Sequence, residues 1–389
     1  MSTHIIGWAH TPFGRLHHQD IEQLMAEVTA PAIAHAGLEP EAIDAIFIGT
    51  FNNGFQKQDF PSSLVLQVEP RLRFKPATRL ENACGTGSAA VQAALNFIES
   101  GRGRTALVLG AEKMTSVSNR EVGEVLLGAS YHAEGEGSGA AGFAGVFGEI
   151  AQAYFERYGD RSDSLARIAA KNHRNGVANP LAQLRKDLGY EFCRTANESN
   201  PYVAGPLRRT DCSPVSDGAA ALVLSNADVA AQAPQSVRFR AAVQVNDFLP
   251  ISRRDMTRLE GCQVAWQKAL QEARLSLDNL DLVETHDCFT IAELMEYEAM
   301  GLTPAGLGHM AIDEGWVTKD GKLPVNPSGG LKAKGHPIGA TGVSMHVMAA
   351  MQLTGTAGGM QIPDARCAGV FNMGGTGVAN YVSILERTR

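Results

Sequence analysis

"GTGSAAVQAALNFIESG" (residues 85–101) has a close counterpart in the second half of the chain, "GATGVSMHVMAAMQLTG" (339–355). Both segments open with glycines, continue as helices of small residues and close with glycine. Each is followed by a strand that ends in a loop, "ALVLGAEKM" (106–114) and "AGVFNMGGTG" (368–377). This self-similarity predicts a chain made of two copies of one structural unit. The small residues predict that the two helices are buried in close contact between two sheets.

A second pair of similar segments lies upstream of each helix. "AGLEPEAIDAIFIG" (36–49) and "ARLSLDNLDLVETH" (273–286) both read as a helix end, a turn and a buried strand. In both halves the order of elements is strand, helix, strand, helix, strand. This alternation predicts an α/β fold with right-handed crossovers and a largely parallel sheet covered by helices.

One long segment of the first half has no counterpart in the second. Residues 118–212 are polar and rich in glycine, and we interpret them as an inserted domain or lid. The first half resumes afterwards with "SPVSDGAAALVLSN" (213–226), a turn followed by a strand.

The composition of the 389 residues excludes several classes of protein. The net charge is −7 and there is no long run of Lys and Arg, so no nucleic-acid surface is expected. None of the six cysteines forms a CxxC pair, and their scatter fits a reducing compartment. No secretory signal or run of apolar residues long enough to span a bilayer is visible. We therefore expect a cytoplasmic protein.

Four turns carry an unusual number of reactive groups. They are "ENACGTG" (81–87), "ETHDCFT" (284–290), "KAKGHPIGATG" (332–342) and "FNMGGTG" (371–377). In parallel α/β sheets, ligand sites gather beyond the carboxyl ends of strands, in the turns that lead into helices. These turns are the candidate site.

Cys84 and His336 occupy matching turns in the two halves. Cys84 precedes a predicted helix start, where the helix dipole and free N–H groups should lower its pKa; the alternative is a buried structural cysteine. His336, held between Gly335 and Pro337, can act as a base or hydrogen-bond donor, or it is an ordinary surface histidine. If the copies pack about a pseudo-twofold axis, the two side chains face each other.

The other two turns add candidates for proton transfer and for backbone donors. His286 and Cys288 follow a strand, and a thiol there can serve as a general acid. The backbone N–H groups of Met373, Gly374 and Gly375 could complete an oxyanion hole. Although two cysteines and two histidines suggest a metal, their spacing lacks the short ligand intervals of metal motifs, so we expect no metal site.

Together, in this order, these elements resemble the thiolase superfamily over nearly the whole chain. Cys84 matches the family's acylated cysteine. "NPSGGLKAKGHPIGATG" (326–342) is similar to its GHP block, and "DCSPVSDGAAALVL" (211–224) resembles the strand returning from its loop domain. The resemblance implies a duplicated thiolase fold, an α/β architecture of five layers, αβαβα, with an inserted loop domain.

The resemblance also indicates a subtype. "HDCF" (286–289) stands where many thiolases carry NEAF, and Phe371 stands where they place the second cysteine of a CxG motif. Cys367 begins a literal CxG but lies four residues too early, so we interpret it as structural. This combination resembles the sterol-carrier-protein-type thiolases and their bacterial and archaeal relatives, in which the HDCF cysteine transfers the proton.

The resemblance assigns expected roles to these residues. The Cys84 thiolate would attack a 3-ketoacyl-CoA or acetyl-CoA, with the acyl oxygen held by N–H groups of Cys84 and of the 372–375 turn. His336 and His286 would stabilise the enolate oxygen, and Cys288 would transfer the proton at carbon.

CoA would be a cosubstrate rather than a permanently bound cofactor. Ser213 matches a family position near the pantetheine. Arg174 and Lys171 are candidates for the CoA phosphates, although a solvated helix face explains them better.

The domains expected from the resemblance are residues 1–117 with 213–235, the loop domain 118–212 over the CoA site, and residues 236–389. A homodimer or a dimer of dimers is implied. Two alternatives stay open: another condensing enzyme of the same fold, and a non-catalytic acyl-CoA or lipid binder or scaffold subunit of an acyltransferase complex.

Overall fold

The computed structural model describes residues 3–135 and 141–388. The strands in these ranges are β1 (His4–His10), β2 (Ala45–Gly49), β3 (Ala77–Leu80), β4 (Thr105–Lys113), β5 (Tyr202–Ala204), β6 (Leu207–Arg208), β7 (Asp217–Ser225), β8 (Val237–Asn246), β9 (Leu282–Glu284), β10 (Cys367–Gly374) and β11 (Ala379–Arg387).

The α-helices alternate with strands β1 to β4, as the sequence predicts, but further along the chain several helices follow one another without an intervening strand. The α-helices are α1 (Ile21–His35), α2 (Pro61–Val68), α3 (Thr86–Glu99), α4 (Asn119–Leu126), α5 (Gly142–Tyr158), α6 (Ser162–Val177), α7 (Gly189–Arg194), α8 (Ala227–Ala230), α9 (Glu260–Ala273), α10 (Thr290–Ala299), α11 (Gly308–Asp313), α12 (Gly330–Lys334) and α13 (Ile338–Leu353). Among the described residues, no helix combines the length and apolar character needed to cross a bilayer.

Nine strands are hydrogen-bonded in the order β3-β2-β4-β7-β1-β8-β11-β10-β9. The expectation of a largely parallel sheet is wrong, because only three of the eight pairings are parallel. Strands β1 to β4 do run in one direction, but β7 lies antiparallel between β4 and β1. In the second half, β11 takes the same place between β10 and β8. The short turn between β10 and β11 permits only antiparallel pairing.

The elements form the five predicted layers. Along β4, Leu107 and Leu109 face α1 on the outside, whereas Ala106 and Val108 face the central core, as the two-residue period of a strand requires. Helices α3 and α13 fill the central layer between the strands of the two halves, and α9 covers β8 and β11. The halves are joined edge to edge by a short pairing of β1 with β8 at His4 and Ile5.

The central helices touch through their glycines. A Cβ atom on Gly87 of α3 would lie 2.7 Å from the backbone nitrogens of Gly342 and Val343 in α13. A Cβ atom on Gly342 would lie 2.3 Å from the nitrogen of Ser88. These distances are too short for any side chain, so the two backbones approach directly. Because α13 is also apolar around its circumference, it is buried on all sides.

The segment predicted as an insertion contributes α4 to α7 with the β5–β6 hairpin. Its helix α6 packs against α10, α11 and α12 of the second half. A buried ion pair between Lys171 of α6 and Glu293 of α10, with nitrogen and oxygen 2.8 Å apart, fixes this contact. The boundaries 118 and 212 stay a prediction.

Replacing Gly87 with alanine should destabilise the protein. The added methyl group would force the backbones of α3 and α13 apart, and overpacking of this kind costs about 1–3 kcal/mol. Denaturant unfolding measures the change. The matched control is Gly123→Ala in α4, where no atom lies within 4 Å of the added carbon and stability should not fall. Equal effects of the two substitutions would contradict the close helix contact.

Candidate active site

The four reactive turns meet at the starts of the two central helices. One ligand atom each from Cys84, His286 and His336 lies within 4.8 Å of the others. The two imidazole rings meet edge to face, with centroids 5.1 Å apart and an interplanar angle of 87°. All three side chains are buried. The structure therefore brings together the cysteine of one half and the histidines of the other, whose roles stay predictions.

A strained turn holds Cys84 between β3 and α3. Ala83 has φ of +49°, a left-handed conformation that costs a non-glycine residue roughly 1–2 kcal/mol. Hydrogen bonds around it compensate: the Ala83 N–H donates to the Glu81 carboxylate (2.6 Å), and the Asn82 N–H donates to the Thr86 hydroxyl (2.8 Å). Strain of this kind is typical of functional sites. Because position 83 is an alanine and not a glycine, this left-handed conformation could not be predicted from the sequence.

The expectation that the helix start lowers the pKa of Cys84 is wrong. Burial raises the pKa of the thiol to about 12, and a hydrogen bond from the Gly375 N–H opposes this only in part. Desolvation of the thiolate outweighs the helix dipole because almost no solvent reaches the sulfur. Cys84 is therefore a thiol at neutral pH, and a base must remove its proton before it can attack.

Both histidines are neutral at neutral pH. Burial, reinforced by Lys334, lowers the pKa of His336 to about 3. Burial, His336 and Lys334 together hold the pKa of His286 well below its ordinary value. Each ring makes one hydrogen bond, from His336 Nδ1 to Thr341 Oγ1 (2.7 Å) and between His286 Nδ1 and Asn372 Nδ2 (2.8 Å). Within residues 3–135 and 141–388, neither Nε2 atom has a hydrogen-bond partner, so both are available to a reacting group.

Asp287 anchors the loop that carries His286. Its carboxylate accepts hydrogen bonds from the N–H groups of Leu331 (2.6 Å) and Lys332 (3.1 Å) and from the Asn172 amide (2.7 Å). Gly330 makes this approach possible, since a Cβ atom there would lie 2.3 Å from Asp287 Oδ2. The anchor fixes the HDCF loop against α12, which leads into His336.

Cys288 lies beside the cluster as a protonated thiol. Burial and the neighbouring Cys84 hold its pKa well above the ordinary value. This suits a group that donates a proton. Its carbonyl oxygen accepts a hydrogen bond from the Ser213 N–H (2.9 Å). Cys367, by contrast, lies at the opposite end of β10 from the glycine turn, paired with Glu386.

Ser213 lines a pocket of about 780 Å³, and its backbone hydrogen bond to Cys288 connects the pocket wall to the cluster. The rim of the pocket carries four exposed cations, Arg15, Arg185, Lys186 and Arg209. The total charge of the chain, which is negative, gave no sign of this local cluster.

The interior of the pocket contains a buried lysine, Lys332. Neither lysine nor arginine named from the sequence lies in this pocket: Lys171 is paired with Glu293, and Arg174 bonds Asp187 on the surface. The suggestion that Lys171 lies on a solvated face is wrong, because it is buried.

Asn372 is a site residue that the sequence did not reveal. Its amide nitrogen lies 3.0 Å from the Cys84 carbonyl oxygen and 2.8 Å from His286 Nδ1. The "FNMGGTG" turn drew attention only through its glycines. His286 could have pointed to Asn372. A buried histidine whose one ring nitrogen faces a substrate needs a hydrogen-bond partner for the other.

Comparison with known proteins identifies the class. Residues 3–228 match the family described as "Thiolase, N-terminal domain", and residues 243–387 match "Thiolase C-terminal domain-like". The chain therefore belongs to the thiolase family and is an acyltransferase.

Individual thiolase relatives are similar to this chain over nearly its whole length. An acetyl-CoA acetyltransferase of Methanothermobacter thermautotrophicus is 35% identical over 386 residues, which cover 98% of this chain and 99% of that relative. Human sterol carrier protein 2 is 32% identical over 390 residues, covering 95% of this chain and 69% of that protein. The predicted resemblance is confirmed.

Solved structures share the fold at lower identity. The Ltp2-ChsH2(DUF35) aldolase superposes with a TM-score of 0.84 at 20% identity, covering 100% of this chain and 98% of that chain. An acetyl-CoA acetyltransferase from Syntrophomonas wolfei superposes with a TM-score of 0.73 at 18% identity, covering 99% of each chain. The predicted fold class is confirmed.

The rate at which iodoacetamide alkylates Cys84 should rise with pH without levelling off near neutrality. Because the pKa of the buried thiol is about 12, the reactive thiolate fraction grows about tenfold per pH unit between pH 7 and 10. Mass spectrometry of the labelled peptide measures the rate, with Cys84→Ser as the blank. A plateau below about pH 8 would mean that the thiolate is stabilised after all.

Proposed function

We propose that the protein exchanges acyl groups between CoA thioesters through an acyl-enzyme at Cys84. A 3-ketoacyl-CoA and CoA would give acyl-CoA and acetyl-CoA, and the reverse reaction would be a Claisen condensation. The observation that carries the proposal is the cluster of Cys84, His286 and His336 at the start of the central helices, with Cys288 beside it.

Carbon–carbon cleavage would proceed in two stages. His336 takes the proton of the Cys84 thiol, and the sulfur attacks the keto carbon. The C2–C3 bond then breaks, leaving an acylated Cys84 and the enolate of acetyl-CoA, which takes a proton from Cys288. CoA then gives its own proton to Cys288, and its sulfur attacks the acyl group. Cys84 departs and recovers its proton from His336.

Fixed hydrogen-bond donors would stabilise the two oxyanions. The Gly375 N–H already bonds the Cys84 sulfur, which supports the 373–375 turn, Met373, Gly374 and Gly375, as a source of donors for the acyl oxygen. His286 and His336 would serve the enolate oxygen. Each such donor is typically worth about 3–4 kcal/mol of barrier in a dry site.

CoA would enter as a cosubstrate through the pocket that Ser213 lines. The exposed cations of its rim suit the phosphates, and the half-buried Ser213 suits the pantetheine arm. Inside, the ammonium of Lys332 forms no hydrogen bond or ion pair with the residues that the structure describes, and burial lowers its pKa. Asp287 and Asp211 offset this burial in part, without a direct ion pair, so an acceptor on CoA would stabilise the buried cation further. Most of the residues that line the pocket fall within 118–212, which supports the proposal that this segment covers the CoA site.

A homodimer built on strand β3 is the assembly that we favour. This strand ends the sheet, and an apolar groove of about 420 Å³ beside it is lined by Phe47, Pro76 and Phe97. Phe74, just before the strand, is 87% exposed. Uncovered edge strands with apolar neighbours favour pairing with another chain. The cytoplasmic location stays a prediction.

A second candidate function is that of a subunit in an acyltransferase complex. The similar structure named Ltp2-ChsH2(DUF35) aldolase pairs a chain of this fold with another protein. A complete Cys-His-His-Cys set favours catalysis by this chain over a purely scaffolding role. Another condensing enzyme of the same fold is the remaining alternative, which the second thiol, Cys288, disfavours.

An assay with acetoacetyl-CoA and CoA tests the proposed function. The unmodified protein should form acetyl-CoA, and Cys84→Ala should fall to background because no acyl-enzyme can form. Cys288→Ala should still be acylated by acetyl-CoA, as seen in the intact mass, but should stall in cleavage. Cys367→Ala is the control and should retain activity; if instead it is inactive while Cys288→Ala turns over, the assignment of Cys288 is wrong.

Replacing Lys332 with methionine should raise KM for CoA about 10- to 100-fold while kcat changes little. Hydrogen bonds to a charged group contribute about 1.5–3 kcal/mol, and this one would form equally in the ground and transition states. Thiolysis rates at varied CoA concentrations measure the effect. Lys322→Met, an exposed lysine that pairs with Asp278 outside the pocket, is the control. An unchanged KM for Lys332→Met would remove this lysine from the CoA site.

A further inference from the structure

The proton positions on the two histidines can be deduced from their hydrogen-bond partners. Asn372 is the first of these partners. Its Nδ2 atom lies 3.0 Å from the Cys84 carbonyl oxygen, which can only accept a hydrogen bond. The amide must therefore present its NH₂ group and not its oxygen to Cys84. The second hydrogen of the same NH₂ group points to His286 Nδ1, 2.8 Å away.

The packing around Asn372 keeps the amide in this orientation. The side chain is fully buried. Its Oδ1 atom lies on the side of Gly342, where a Cβ atom would come within 2.5 Å of it. Rotating the amide would bring two carbonyl-type oxygens together at about 3.0 Å beside Cys84. His286 Nδ1 therefore accepts a hydrogen bond and carries no proton.

Thr341 is the partner of His336, and it accepts a hydrogen bond where Asn372 donates one. Its hydroxyl donates to the Pro337 carbonyl, with the two oxygens 2.9 Å apart. A hydroxyl has only one hydrogen, so Thr341 Oγ1 accepts the hydrogen bond from His336 Nδ1 at 2.7 Å. His336 Nδ1 therefore carries a proton.

Both rings are neutral at neutral pH, because burial lowers the pKa of each. A neutral imidazole has one proton, so the position of the proton on Nδ1 determines the state of Nε2. His286 has its proton on Nε2, whereas His336 has a lone pair there.

We infer that Asn372 is a positioning residue that keeps His286 a hydrogen-bond donor, so that the two histidines of the site have different functions. His286 Nε2–H donates to the enolate oxygen, and His336 Nε2 receives the Cys84 proton. This inference rests on the proposed function, in which His336 takes the Cys84 proton and both rings serve the enolate oxygen; it adds that His286 is a donor before the reaction begins, whereas His336 becomes one only after it has taken that proton. Asn372 was not among the site residues that we predicted from the sequence.

The same proton positions disfavour a metal ion at this cluster. The ligand atoms of Cys84, His286 and His336 lie close enough together to suggest one. A metal would need the lone pair of His286 Nε2, and freeing it would move the proton to Nδ1, where Asn372 already donates. The hydrogen bonds therefore fit acid–base chemistry better than metal binding.

Nitrogen NMR of ¹⁵N-histidine-labelled protein tests the inference without substrate. The His286 signals, assigned by their loss in His286→Asn, should show a protonated Nε2 and an unprotonated Nδ1. In Asn372→Asp the carboxylate accepts instead of donating, so the proton should move to Nδ1. A His286 proton on Nδ1 in the unmodified protein, or one that stays on Nε2 in Asn372→Asp, would overturn the inference.

A kinetic cycle distinguishes positioning from a merely structural role. Asn372→Asp should lower kcat for acetoacetyl-CoA cleavage about 10²-fold, the typical effect of losing one oxyanion donor. Cys84 should still be acylated by acetyl-CoA. In a protein that already carries His286→Asn, there is no imidazole whose proton position Asn372 could control. Adding Asn372→Asp there should lower kcat little further. Full additivity of the two substitutions would mean that Asn372 only supports the Cys84 turn.

The two measurements separate this inference from the proposed function. If the protein lacks thiolysis activity but the NMR signals show the expected tautomers, only the proposed function fails. If thiolysis is present and the proton is on His286 Nδ1, only the role of Asn372 fails.

Discussion

The direct backbone contact between α3 and α13 is the constraint on which the site depends. Gly87 and Gly342 allow the two helices to touch without intervening side chains, so their starts lie side by side. One start follows Cys84 and the other follows His336. Cys84 and His336, the proposed nucleophile and base, are therefore positioned by two packed helices and the strands beneath them, which hold a geometry more firmly than free loops do.

The exclusion of water from the site determines the protonation states of its side chains. Burial keeps both thiols protonated and both imidazoles neutral, so the resting site carries little charge of its own. In the proposed reaction, negative charge would arise only as the reaction proceeds, on an acyl oxygen and an enolate oxygen. Oriented N–H groups act strongly on such charge in a medium of low polarity. The low polarity that makes Cys84 a weak acid therefore also strengthens the stabilisation of its products.

The sequence predicted what repeats and local patterns can encode. Matching the two halves was sufficient to pair Cys84 with His336 and to expect two buried helices between two sheets, because each copy carries the same order of elements. The five layers were expected from the resemblance to the thiolases. It failed where distant parts of the chain decide the outcome. The antiparallel insertion of β7, the strain at Ala83, the raised pKa of Cys84 and the burial of Lys171 all depend on neighbours that no short segment reveals. Asn372 escaped notice for the same reason, since its partners lie 86 and 288 positions away.

The edge-to-edge pairing at β1 has a consequence for synthesis of the chain. Strand β1 is synthesised before its partners β7 and β8, which lie at residues 217–246. At about 5–20 residues per second, the ribosome needs roughly 10–40 s to make the intervening chain. Throughout that interval an apolar strand waits with both edges open. Because open strand edges favour pairing with other chains, β1 is exposed to misassembly until β7 and β8 have been made.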